Sequence, residues 1–259
     1  TYVKSSNEIA VIVAEGEIVR GEAEQGMIGG EKFARELRKA RENDKIKAIV
    51  LRINSPGGDF LASDMMWREV TLASQVKPII ASMGDYAASG GYYMAMACDT
   101  IVAQPNTITG SIGIFGMIFN LEKLMNDKLG ITTDPVNTGE FSGMMTMTRP
   151  LSSVEKSIIQ KQLERGYETF TTKAADGRGM PVDNLLKIAS GRVWTGEQGL
   201  DNGLVDVMGN LDDAILIAAE KAGIADDYKV RYAPKYLPLL ERLMNSGSKI
   251  KTNVVKNEM

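Results

Sequence analysis

The chain has 259 residues, 44% of them hydrophobic and 24% charged, which is enough to bury the core of one large α/β domain. A net charge of −3 gives no reason to expect nucleic acid or an anionic membrane surface as a partner, and a single cysteine, Cys98, excludes an intrachain disulfide framework. There is no histidine, so both a Cys/His zinc site and a histidine-activated nucleophile are ruled out.

The chain starts at Thr1 in the polar stretch "TYVKSSNE", which reads as part of something longer. Neither a signal-peptide pattern nor a run near the ~18 apolar residues of a membrane span follows. The first apolar run, "IAVIVAEGEIV" (9–19), is rich in β-branched residues and predicts a strand. "GGEKFARELRKAREND" (29–44) alternates charged and apolar positions at helical spacing, and "IKAIVLRIN" (46–54) is again strand-like. A helical pattern over 62–75, "KPIIASMG" (77–84) and "TIVAQP" (100–105) continue the alternation, which argues for a mainly parallel sheet flanked by helices. "LEKLMNDKLG" (121–130) predicts a helix, and "SSVE" marks a capping box that opens a long helix near Ser152. "GLVDVMG" (203–209) reads as a short strand and "LDDAILIAAEKAG" (211–223) as a helix stopped by Gly223. With neither repeat nor linker, the chain is expected to form one domain over 1–235, followed by a C-terminal helix and a flexible tail over 236–259.

Two glycine-rich turns each follow a strand: "INSPGGD" (53–59) and "MGDYAASGG" (83–91). Ligands of parallel α/β sheets collect beyond the carboxyl ends of the strands, where both turns are expected. Gly57 and Gly58 leave a backbone N–H unobstructed, and Gly90 supplies a second at the start of the helix after Ser89. Two such donors aimed at one point make an oxyanion hole, with Ser89 as the candidate nucleophile. Either turn alone reads as a tight, close-packed connection; the pair, with a serine at a helix mouth, favours chemistry. Asp59 is expected to cap a helix, and Asp85 and Tyr86 to shape the pocket.

"INSPGG", "SMGDYAASGGYYMAMACDTIVAQPNTITGSIGIFG" and "GRVWTGEQGLDNGLVD" resemble the signal peptide peptidase A family of serine proteases, over about residues 9 to 222. The resemblance implies a Clp-protease/crotonase-like α/β fold and a Ser/Lys dyad with Ser89 as nucleophile. It also implies an oxyanion hole from Gly57 or Gly58 with Gly90, and a substrate groove along Gly110, Ser111, Ile112 and Gly113. It implies peptide substrates, among them cleaved signal peptides, and a membrane-associated homo-oligomer in the bacterial cell envelope, outside the cytoplasmic membrane. No cofactor or metal is implied.

The lysine is the point of departure. Where the short form of this family carries it, this chain has Ser142, and no lysine occurs between Lys128 and Lys156. In the long, tandem-domain form the second domain bears the serine and the first the lysine, so the chain resembles the carboxyl-terminal half of that form. The expectation is then a domain inactive by itself, completed by an N-terminal domain that also brings the membrane association. A pseudoenzyme that shapes an assembly, or a crotonase-like acyl-CoA enzyme, are the rival readings. Met144, Met145 and Met147 suggest an adaptable apolar surface for a peptide or partner.

Overall fold

The computed structural model describes residues 5–23 and 26–233; the C-terminal helix and tail expected over 236–259 lie outside the described residues. The elements are β1 (Glu8–Glu15), β2 (Glu17–Val19), β3 (Met27–Gly29), α1 (Gly30–Glu42), β4 (Ile46–Ser55), α2 (Phe60–Ser74), β5 (Ile79–Ala88), α3 (Gly90–Ala95), β6 (Thr100–Ala103) and β7 (Ile108–Gly110). After a long excursion come α4 (Ser153–Gly177), α5 (Val182–Ile188), β8 (Val193–Thr195), α6 (Gly196–Asp201), β9 (Val207–Met208), α7 (Leu211–Lys221) and β10 (Lys229–Ala233).

The main sheet runs β10-β1-β4-β5-β6-β9, all parallel, with β7 added beside the end of β5 and β8 antiparallel to β7. Its central strands are apolar on both faces because both faces are covered. Along β1, Ile9 and Val11 point into a layer closed by α7 through Ala214, Ile215, Ala218 and Ala219. Ala10 and Ile12 point into the larger layer beneath α1, α2 and α3, with Phe33, Leu37, Met66, Val70 and Tyr93. The expected α/β architecture is therefore present, and the turns at 55–59 and 84–91 leave the same end of two neighbouring parallel strands, where Ser55 pairs with Ala87.

The structure departs from the sequence expectation at three places. The run 9–19 is two strands, because Gly16 (φ +102) turns the chain off β4 and onto β3; its N–H is donated to Asn54 O (3.0 Å). Residues 121–130 do not form an α-helix: 124–129 wind as a π-helix closed by Gly130 in the left-handed region. Leu124 and Leu129 lie exposed there and no residue of 124–129 is buried, so no core contact enforces the regular ladder. Within 203–209 only Val207–Met208 pair in the sheet, since Gly203 takes positive φ and turns the chain.

The helix expected from Ser152 is α4, and its capping box is formed: Ser152 Oγ accepts from Glu155 N, and the Glu155 carboxylate accepts from Ser152 N (2.8 Å). Arg149 grips the same carboxylate with both terminal nitrogens. The guanidinium above all, with the backbone N–H, holds the Glu155 carboxyl at a pKa of about 2, well below its usual range. A carboxyl lowered by folding adds stability that is complete above its unfolded value of about 4.5 and is lost as pH falls through about 2. The start of α4 should therefore loosen on acidification across that window, and Glu155→Gln should remove this acid step. Amide exchange at residues 153–158, followed against pH, checks it.

Candidate active site

Ser89 stands between β5 and α3 with φ 53 and ψ −119, a conformation that a non-glycine residue adopts only under constraint. It forms the turn from strand to helix at the end of the sheet. Hydrogen bonds fix the backbone on both sides: Ser89 N–H donates to Gly110 O (2.9 Å), and Tyr93 N–H donates to Ser89 O (2.9 Å). Ser89 is half-buried.

The glycines around it are demanded by close approach. A Cβ on Gly57 (φ +106) would lie 2.7 Å from both Ser89 Cβ and Gly90 N, and one on Gly91 would lie 2.6 Å from Ser55 O. The two turns singled out from the sequence thus meet. Gly57 N–H is donated to Ser55 Oγ (3.2 Å), whereas neither Gly58 N–H nor Gly90 N–H has an acceptor among the described residues. Gly58 is clamped from behind by β2: Ile18 N–H donates to Gly57 O (2.9 Å) and Asp59 N–H to Ile18 O (2.8 Å). Asp59 caps α2 by accepting from Ala62 N (2.9 Å), and its carboxyl also receives Arg20 Nε (2.9 Å).

Gly110 and Ser111 both take positive φ, turning the chain out of β7 beside Ser89. One edge of the following segment is paired: Ser111 N–H donates to Arg192 O (2.7 Å), and Gly191 N–H to Ile112 O (2.9 Å). Ile112 is buried, and Gly113 packs against Gly191. Beyond it, residues 114–147 carry many exposed apolar side chains, among them Phe115 (85% exposed), Met117, Phe119 and Met145. Ser142 lies on this excursion; its Oγ donates to Gly139 O (2.9 Å), and its hydrogen bonds stay within residues 137–142.

Among the described residues no lysine is hydrogen-bonded to Ser89. The half-buried Lys173 binds Asp64 and lies 3.6 Å over the Trp67 ring, and Lys77 donates to Ala40 O and Asn43 O at the end of α1. Trp194 is partly buried against the core with Nε1 donating to Ile188 O, and Thr195 caps α6. Three participants are not singled out from the sequence. A local signal exists for Ser55 Oγ, a serine two residues before a turn glycine, whereas Ile18 and Ser63 reach the site only through tertiary packing.

The fold is that of the Clp-type proteases: a ClpP1 point mutant from Listeria monocytogenes superposes with a TM-score of 0.53 at 17% identity, covering 79% of this chain and 94% of that one. The sequence sharpens this, for residues 71–225 match the model of Peptidase family S49, and the chain belongs to that family. It is 44% identical over 229 residues to "Serine protease SPPA, chloroplastic" of Arabidopsis thaliana, covering 86% of this chain. It is 41% identical over 247 residues to "Protease 4" of Salmonella typhi, covering 95% of this chain. The chain spans 34% and 40% of the length of these two relatives.

Proposed function

We propose that this chain is the serine-bearing domain of a serine endopeptidase that degrades extended apolar peptides, cleaved signal peptides among them. The observation that carries the proposal is the convergence at Ser89, where the Pro-Gly-Gly turn lies against a serine held on a strained strand-to-helix elbow. Ser89 Oγ attacks the peptide carbonyl carbon while a lysine amine takes its proton. The resulting oxyanion accepts from Gly58 N–H and Gly90 N–H; Gly57, whose own N–H serves Ser55, contributes the space its missing side chain leaves. Collapse breaks the C–N bond, the leaving amine takes the proton from the lysinium, and water hydrolyses the acyl-serine with the same lysine as base. An extended substrate lies along Gly110–Gly113, where Ser111 and Ile112 pair one edge with Arg192 and Gly191.

The base comes from an N-terminal tandem domain outside this chain, because Ser142 occupies the short-form lysine position and the half-buried lysines among the described residues, Lys77 and Lys173, are committed elsewhere. That domain also brings the membrane association, at the outer face of a bacterial cytoplasmic membrane; no helix among the described residues is long and apolar enough to cross a membrane. The apolar excursion 114–147 is covered by that domain or by a second copy in a homo-oligomer, since patches of this size seldom stay solvated. Residues 1–235 form the serine-bearing domain, which that lysine completes. The half-exposure of Ser89 favours this reading over a non-catalytic assembly domain.

The test is labelling of the lysine-completed protein with an alkyl fluorophosphonate. Stoichiometric modification at Ser89, absent in Ser89→Ala, is expected. Equal labelling of both proteins would sink the proposal.

A further inference from the structure

Helices α2 and α3 begin directly after the two proposed oxyanion donors, α2 after Gly58-Asp59 and α3 at Gly90 itself. The spacing of those N–H groups therefore depends on how the two short-range starts are held together. One close approach helps: a side chain on Gly90 would run into Ser63 Oγ on the first turn of α2. The stronger tie is one turn deeper. Tyr93 on α3 is 1% exposed, and its hydroxyl donates to Asp64 Oδ1 on α2 at 2.6 Å.

That acceptor is itself held by a third element. Lys173 on α4 hydrogen-bonds the same Asp64 oxygen, and its ammonium lies over the Trp67 ring. The Tyr93 ring is wedged between Phe60 (5.7 Å between centroids, edge-on) and Phe170 (4.6 Å), so the phenol has little freedom to reorient. Burial first, then the hydrogen bond to Asp64, pushes the phenol far above its ordinary pKa, which keeps it a donor at any working pH. Tyr93 is also the residue whose N–H donates to Ser89 O, so displacement of its side chain pulls on the strained elbow itself.

Building on the serine-peptidase reading, we propose that Tyr93, Asp64 and Lys173 are positioning residues that set the spacing between the two oxyanion donors and the orientation of Ser89. They touch no substrate; they fix α3 against α2 and brace both with α4. Misplacement of catalytic groups by an ångström costs as much as ~10²-fold in rate, so loss of one such tie is expected to act on the limiting rate rather than on binding.

The test combines two readouts on folded protein. Tyr93→Phe keeps the ring and removes only the hydroxyl. With a fluorophosphonate at saturating concentrations, phosphonylation of Ser89 in this variant, with loss of fluoride, should have a limiting rate reduced ~10-fold and an unchanged half-saturation concentration. In the single chain, the Tyr93 amide should exchange ~10-fold faster while amides of β4 stay at wild-type rates, a local loosening without global unfolding. Lys173→Met should show a smaller change in the same direction, and Lys173→Arg should restore it by keeping a donor for Asp64. A Tyr93→Phe protein with wild-type phosphonylation and wild-type exchange of the residue 93 amide, whatever its thermal stability, would overturn the proposal. Labelling that persists in Ser89→Ala instead removes the nucleophile reading, and the exchange measurement then decides alone whether Tyr93 and Asp64 hold the Ser89 carbonyl.

Discussion

On its own the chain should hydrolyse apolar peptides at ~10⁻² to 10⁻⁴ of the rate reached once a lysine-bearing domain is added, the usual span of general-base assistance. A serine hydroxyl without a base is a weak nucleophile near neutral pH, however well its oxyanion is received. Among the described residues neither half-buried lysine is free to substitute. There is no histidine, Lys173 spends its ammonium on Asp64 and Trp67, and Lys77 closes the carboxyl end of α1. Steady-state hydrolysis of an apolar fluorogenic peptide, with and without the lysine-bearing domain, measures the difference, and Ser89→Ala should abolish what the added domain restores. Ser142→Lys in the single chain should recover a small fraction of that gain, because the new amine must reach Ser89 and be desolvated before it can act as a base. Vigorous turnover by the unmodified chain, insensitive to Ser89→Ala, would contradict both the missing base and the nucleophile.

The parts of this molecule that can be read from the sequence are those set by local pattern. Strands buried on both faces write themselves as unbroken apolar runs, which is why β1, β4, β5 and β6 stand where the runs at 9, 46, 77 and 100 begin. Capping residues are equally local: Asp59, Ser152 and Thr195 each satisfy backbone N–H groups within three residues. The site is legible in outline because glycine leaves a mark wherever backbones approach closely, and Gly57, Gly90 and Gly91 all sit at such approaches. What stays hidden depends on residues far apart in the chain. Ile18 clamps Gly58 across 40 positions and Lys173 meets Asp64 across 109, and no periodicity encodes either pairing. The excursion 114–147 misleads for a related reason. Its helical pattern at 121–130 is real, but none of residues 124–129 is buried, so no core contact enforces a regular α-helix.

Gly57→Ala should be the most damaging single-methyl change to the chemistry that leaves every reacting group in place. The residue is buried at φ +106, so an alanine there adopts a disfavoured backbone conformation, and its Cβ would sit 2.7 Å from Ser89 Cβ and from Gly90 N. Either the Pro-Gly-Gly turn or the elbow must move by several tenths of an ångström. The turn is pinned by Ile18 on one side and Ser55 on the other, and the elbow by Gly110 and Tyr93, so the strain falls on the geometry between them. Crowding of this kind costs about 1–3 kcal/mol of stability. Loss of one aligned oxyanion donor costs ~10²–10³ in kcat, and because the oxyanion exists only in the transition state, KM should move little. Gly223→Ala separates strain from crowding: that glycine also has positive φ (+67), at the end of α7, but nothing lies within 4 Å of the added methyl. It should lose a fraction of a kcal/mol to about 1 kcal/mol through backbone strain and keep full activity in the lysine-completed protein. A Gly57→Ala enzyme with the kcat of the Gly223→Ala control would mean that the glycine turn and Ser89 do not share one catalytic point.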